Sequence, residues 1–170
     1  MNFIVAVDQN YAIGYKNQLL FSLKQDLQYF KQTTINKVVI MGDTTFYSLP
    51  GSKALKNRTN IVLTLNPDFN EPDTIVAHNF KELAEIIKDY DPDDGFVTGG
   101  ASVYTQLIPY CKKGYITKIK GSKEADRYLP NLDLMDNWDL VSISPTQEED
   151  GVQFNFCIYE NDSPKPFVFQ

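Results

Sequence analysis

One acid in the chain is placed to do chemistry. Asp26 lies within residues 23–31, where Leu23, Leu27 and Phe30 recur at i, i+4 and i+7, the spacing of one helical face. That stripe is expected to face the core, with Lys24, Gln25, Gln28 and Lys31 on the wet side. Asp26 borders the stripe and does not point to water. A carboxylate at the margin of an apolar face is costly to ionise, so its pKa should rise, which suits a proton donor or relay near neutral pH. The competing reading is a structural aspartate, capped or hydrogen-bonded at a helix flank.

Further stretches carry chemical potential. Gly99-Gly100 follows an apolar run and precedes a helical pattern. Paired glycines let the backbone approach a ligand closely, and a helix start offers free N–H groups to a phosphate. The pair is neither a Gly-x-Gly-x-x-Gly fingerprint nor a Walker loop, so a tight turn without a ligand fits it as well. Arg58 stands just before an apolar strand, near Pro50-Gly51. Its guanidinium can grip a carboxylate with two hydrogen bonds, or sit in solvent like most arginines. Thr117 can donate its hydroxyl inward from a strand, although threonine in a strand needs no function. His78 reads as a surface residue and Cys157 as core filling.

These residues need a frame. Residues 3–7 form an apolar run, expected to be a strand buried on both faces. Residues 8–14 read as a loop in a long connection, of the kind often used as a lid. A helix is expected from 23 to about 33, a second strand over 37–42, and a short helix over 43–48 with Asp43 or Thr44 as its N-cap. Leu49-Pro50-Gly51 breaks the pattern. Strands follow at 60–64 and 74–77, then a helix at 80–87 and an acidic turn region at 89–95. Residues 96–98 form a strand that runs into the two glycines, and a helix from about 102 is closed by Pro109. Residues 114–120 alternate, with Tyr115, Thr117 and Ile119 on one side. Residues 138–143 and 154–159 read as a long antiparallel hairpin. Strands alternating with helices imply one domain over residues 1–170, of the three-layer α/β/α class. Its central sheet should be mixed and mainly parallel, with about eight strands, and end in that C-terminal hairpin. Ligands would sit at the carboxyl ends of the strands, near a switch in strand order.

Composition narrows the partners. Sixteen Lys and Arg against twenty-two Asp and Glu leave a net charge of −6 over 170 residues, a poor platform for nucleic acid. One or two local cations would suffice for a small anion. No stretch approaches bilayer length, so no membrane partner is expected. The run 3–7 is interrupted by Asp8, too short for a signal peptide. Cys111 and Cys157 form no Cys-x-x-Cys pair and read as reduced thiols of a cytoplasmic protein. One histidine and no clustered thiols make a His/Cys metal site unexpected.

The order of the motifs is more specific than any one of them. Ile4-Val5-Ala6, Ile13-Gly14, Asp26 with Phe30-Lys31, Val39-Ile40-Met41-Gly42, Arg58-x-Asn60-Ile61-Val62-Leu63-Thr64, Val97-x-Gly99-Gly100, Tyr115-x-Thr117, and Asp126 with Pro130 succeed one another along nearly the whole chain. Together they resemble dihydrofolate reductase of the bacterial chromosomal type. The resemblance implies an oxidoreductase that reduces 7,8-dihydrofolate to tetrahydrofolate for one-carbon metabolism. Hydride would pass from NADPH to C6 of the pterin, and a proton would reach N5. It also implies a monomer that binds antifolate inhibitors. Asp26 would hold the pterin and favour N5 protonation, with Thr117 supporting the carboxylate. Ile4, Val5, Leu27, Phe30, Lys31, Leu49, Thr98 and Tyr104 would complete the substrate pocket, and Arg58 would bind the glutamate carboxylate. Ala6, Ile13, Gly14, Asn17 and Leu19 match the segment that closes over nicotinamide. Gly42, Thr44, Thr45, Leu63, Thr64 and His78 would hold the cofactor together with Gly99, Gly100, Ala101, Ser102, Val103 and Tyr104. The resemblance further implies a cis peptide between the two glycines.

The chain departs from the family pattern in places. Leu20-Phe21 stands where a Pro-Trp pair is common. Asp43 replaces a basic residue that faces the cofactor's phosphates, and Leu65 a polar one near the 2′-phosphate. A carboxylate beside that dianion is repulsive, and protonated His78 compensates only in part. A weakened NADPH preference, with tolerance of NADH, is the expectation. Two rivals remain: a non-catalytic pterin- or nucleotide-binding relative, and the pyrimidine reductase of riboflavin synthesis.

Overall fold

The computed structural model describes residues 1–170. Its frame is a nine-stranded sheet of order β10-β12-β8-β1-β7-β4-β5-β6, with β11 beside β12. The strands are β1 (Asn2–Val7), β4 (Val38–Gly42), β5 (Thr59–Leu63), β6 (Thr74–Ala77), β7 (Gly95–Val97), β8 (Lys113–Ile119), β10 (Trp138–Ile143), β11 (Gln147–Glu149) and β12 (Val152–Asn161). The run from β8 to β6 is parallel throughout. β12 runs antiparallel to β8, β10 and β11. The helices are α1 (Lys24–Thr34), α2 (Asp43–Ser48), α3 (Phe80–Ile87) and α4 (Ala101–Leu107).

Alternation along the strands sets the layers. Val38 and Ile40 join the main core with Leu83 of α3 and Leu107 of α4. Val39 and Met41 pack instead with Phe46 of α2. Neighbouring side chains in a strand point to opposite faces, so α3 and α4 cover one face of the sheet and α2 the other. Leu23, at the head of α1, packs on Ile119 and Phe154. Gly114 is required by closeness, because a side chain there would overlap the Phe3 ring.

A short central strand separates the carboxyl ends of its neighbours. β7 pairs with β1 only at Asn2 and Phe3, and with β4 only from Val38 to Ile40. β1 continues to Val7 along β8, and β4 continues to Gly42 along β5. Past Val97 the chain stays bonded to β4, through Thr98 N–H to the Ile40 carbonyl and Gly42 N–H to the Gly99 carbonyl, but no longer pairs with β1. The carboxyl ends of β1 and β4 therefore part at the switch in strand order, the usual place for a ligand in such sheets.

The structure differs from the sequence expectations at several points. The segment after β1 is not a plain loop: β2 (Ala12–Tyr15), β3 (Gln18–Leu19) and β9 (Arg127–Tyr128) form a separate three-stranded antiparallel sheet. Strands of two to four residues leave no periodicity to read, yet their backbone groups still need partners. The N-cap of α2 is Gly42, without a side-chain cap, and Asp43 is its first helical residue. Leu27 is 53% exposed; the stripe of α1 meets the core at Leu23 and is open to solvent at Leu27. No helix is long and apolar enough to cross a membrane.

Candidate active site

The acid of α1 meets the central strands. Thr117 Oγ1 donates to Asp26 Oδ1 at 2.6 Å. Thr117 is buried and lies opposite Ala6 in the ladder, as Tyr115 lies opposite Ile4. The Asp26 carboxyl is pushed above its ordinary range, first by burial; the Thr117 hydrogen bond opposes this and the charge of Glu149 adds to it. No ion pair includes Asp26. An acid held by one neutral hydroxyl keeps its proton affinity. Tyr104, buried on α4, donates to the Ile4 carbonyl at 2.7 Å and so ties α4 to β1. Val5 and Phe30 are half-buried and Lys31 is exposed. Phe30 follows Asp26 by one helical turn and shares its side of α1. Thr98 turns back to β4, its N–H bonded to the Ile40 carbonyl at 2.8 Å.

Arg58 is held by the protein. Nη1 donates to Thr34 Oγ1 at 3.1 Å and Nε to the Lys56 carbonyl at 3.0 Å. No carboxylate pairs with it, and burial lowers its pKa. Thr34 ends the helix that carries Asp26, about 12 Å further along its axis. Acid and cation are thus mounted on one rigid rod. Leu49, half-buried at the end of α2, packs against the Phe46 cluster.

On the other side of the sheet axis three glycines bring backbones together. The Gly42 N–H donates to the Gly99 carbonyl at 3.0 Å. A Cβ on Gly99 or Gly100 would come within 3.4 Å of Thr45 Oγ1. The Gly99–Gly100 peptide is cis. Neither α2 nor α4 has a side-chain cap, so their first N–H groups remain free for a ligand. Ala101, Ser102 and Val103 open α4, and Thr44 and Thr45 open α2. At the end of β5, beyond Leu63, the Thr64 hydroxyl donates to Asp43 Oδ2 at 2.7 Å. Leu65 is 92% exposed. His78 is half-buried; its Nδ1 lies 3.1 Å from Glu82 Oε2, and its buried Nε2 has no partner.

The expected lid is tethered at its base. Asp126 N–H donates to the Gly14 carbonyl at 3.0 Å, and Lys16 N–H to Asp126 Oδ2 at 3.1 Å. Ile13 and Gly14 belong to β2, whereas Asn17 and Leu19 stand exposed in the hairpin. Lys123 bonds the Leu20 carbonyl at 3.0 Å and lies 4.3 Å from the centre of the Phe21 ring.

A family model described as dihydrofolate reductase matches residues 1–161. The chain belongs to the dihydrofolate reductase family. It is 39% identical to a dihydrofolate reductase of Bacillus subtilis (strain 168) over 162 residues, covering 94% of each chain. It is 35% identical to an Escherichia coli dihydrofolate reductase type 9 over 170 residues, covering 96% of this chain and 94% of that one. Among solved structures it is similar to the Enterococcus faecalis dihydrofolate reductase complexed with NADP(H) and RAB-propyl, with a TM-score of 0.84, 31% identity and 95% of both chains covered. The match sets aside the pyrimidine reductase reading. In this dihydrofolate reductase family member, Glu149, Tyr11, Lys118 and Asp133 are the residues that sequence reasoning missed. Glu149 lies in a polar stretch between the last two long strands that reads from the sequence as solvated, and the other three meet only in the folded chain.

Proposed function

We propose that this chain reduces 7,8-dihydrofolate to tetrahydrofolate with NADPH, as a monomeric single domain of the cytoplasm that feeds one-carbon metabolism. The observation that carries the reading is the Asp26–Thr117 hydrogen bond at 2.6 Å, which sets a half-buried acid of α1 against the buried threonine of β8, the strand beside β1. Asp26 would accept hydrogen bonds from the pterin's amino and ring nitrogens. Its raised proton affinity lets it feed a proton toward N5, as an acid does best with a pKa near the working pH. Thr117 would keep the carboxyl in register. The walls would come from Ile4, Val5, Leu27, Phe30 and Leu49, with Tyr104 and Thr98 at the border to the cofactor. Arg58, anchored to the far end of α1, suits the carboxylate of a glutamate tail, and Lys31 stands exposed on the last turn of the same helix. These same surfaces would receive antifolate inhibitors. Two buried, free cysteines suit a reducing compartment.

The dinucleotide fits the opposite side. The cradle at Gly42, Gly99 and Gly100 would be filled by any side chain, and free N–H groups surround it. His78 Nε2 lacks a partner nearby. Thr44, Thr45, Leu63, Thr64 and residues 101–104 would complete the grip. Bound NADPH supplies the hydride for C6 of the pterin. Ala6, Ile13, Gly14, Asn17 and Leu19 would shield that transfer from water, a role in which loop motion commonly limits turnover.

The 2′-phosphate fits poorly. The Thr64 hydroxyl is already engaged by the Asp43 carboxylate, and Leu65 offers no donor. We infer a weak NADPH preference with tolerance of NADH. The assay follows cofactor absorbance with dihydrofolate and each cofactor in turn. Oxidation of NADPH is expected, with kcat/KM for NADH close behind. A preference for NADPH of about a thousandfold rejects the tolerance. Binding without oxidation rejects the enzyme and supports a non-catalytic relative.

A further inference from the structure

We propose that Glu149, on the C-terminal hairpin, is a positioning residue for the acid of the cleft: it caps α1 from afar and lays a second negative charge beside Asp26. The inference rests on the role of Asp26 given above.

The observations are geometric. Leu23, the N-cap of α1, has no side chain able to accept a hydrogen bond. The first N–H groups of a helix otherwise lack partners. Glu149 supplies them from across the molecule: Oε2 accepts from Lys24 N–H at 2.7 Å and Oε1 from Gln25 N–H at 2.9 Å. Gln25 Nε2 returns a bond to the Glu148 carbonyl at 3.1 Å. The clasp joins β11 to the first turn of α1, and Asp26 is the next residue of that turn. A two-pronged carboxylate cap fixes the pitch and rotation of the turn, and therefore where the Asp26 carboxyl stands against Thr117.

The clasp also acts electrically. The bare N-terminus of α1 would present a partial positive charge to Asp26 and favour its ionised form. Glu149 neutralises that end and adds a like charge, and both effects hold the proton on Asp26 more tightly. The other groups around Asp26 are Thr117 of β8, Tyr29 of α1 and Tyr104 of α4. None is a cation, so nothing there cancels the influence of Glu149.

The test is a ¹³C titration of the Asp26 carboxyl in the full chain, without ligands, for the wild type, Glu149→Gln and Glu149→Asp. Glu149→Gln keeps an oxygen for one N–H and removes the charge. Its Asp26 midpoint should fall by about half a pH unit at low salt. The difference should shrink at high salt, and Glu149→Asp should restore most of it. The alkaline limb of kcat/KM for dihydrofolate should move down by the same amount. Coincident Asp26 titrations in wild type and Glu149→Gln overturn the inference. A shifted titration with an unmoved kinetic limb upholds the coupling and overturns the role given to Asp26 in turnover.

Discussion

Strand β8 carries two acids' partners on adjacent residues, and they give opposite results. On one face Thr117 meets Asp26. On the other Lys118 meets Asp133, which also accepts from Tyr11 at 2.9 Å and Tyr159 at 2.7 Å. Lys118 Nζ lies 2.7 Å from Asp133 Oδ2 and 2.9 Å from the Tyr159 hydroxyl. It also stands over the Tyr11 and Tyr159 rings, a further favourable contact. Burial pushes the Asp133 carboxyl up, but hydrogen bonds from Lys118, Tyr159 and Tyr11 overrule it, and the net shift is down. Asp26 is pushed up by burial against a single hydroxyl. Both acids are partly withdrawn from water. The number and charge of their donors decide which one keeps a raised proton affinity. The Asp133 cluster does structural work: it joins Tyr11, just before β2, to Asp133 in the short 3-10 turn Leu132–Leu134 and to strands β8 and β12.

Substitutions can break this contrast. The largest effect is expected at Asp26. Asp26→Asn should lower turnover of dihydrofolate by about 10²–10⁴ near neutral pH. The deficit should shrink at low pH, where the substrate arrives protonated. Undiminished turnover in a steady-state assay at neutral pH would remove Asp26 from the mechanism.

Asp133→Asn should instead cost stability, about 1–2 kcal/mol, kept small because both Asp133 and Lys118 are partly exposed. Turnover should stay within a few-fold. The folded pKa of Asp133 lies below its unfolded value of about 3.9, so its contribution is present above that pH and fades as pH falls through the folded value. Urea melts of the two proteins should therefore converge in acid. A gap that persists there would mean that packing, and not charge, holds the cluster.

The smallest effect sharpens the same contrast with the opposite sign. The folded pKa of Asp26 lies above its unfolded value. Its ionisation therefore costs nothing below about pH 4 and costs progressively more as pH rises toward the folded value. Asp26→Asn should stabilise the fold slightly at pH 7, with no gain near pH 3. Thermal melts at both pH values check this; equal stability at pH 7 would show that the acid stands in an environment as wet as the unfolded chain.

Local pattern explains how much could be read in advance. The helix over Phe80–Ile87 is legible to the residue because its apolar positions recur with the helical period, and the strand over Thr74–Ala77 because a short apolar run stands between turn-forming residues. Leu27 departs from its expectation for a related reason: period says which residues share a face, not whether that face meets a core or solvent. Residues 127–128 and 147–149 are strands too short to show any period. Asp43 looked like a cap from its type alone, yet its carboxylate went to Thr64.

Strand and helix order, the family, and an acid on the first helix follow from the chain's sequence alone, since side-chain direction repeats every 2 or 3.6 residues and leaves a trace in it. Which residues touch that acid was settled only by folding. Thr117 and Glu149 lie 91 and 124 or more positions away from their partners on α1. No local regularity records a meeting that depends on how the whole sheet is threaded.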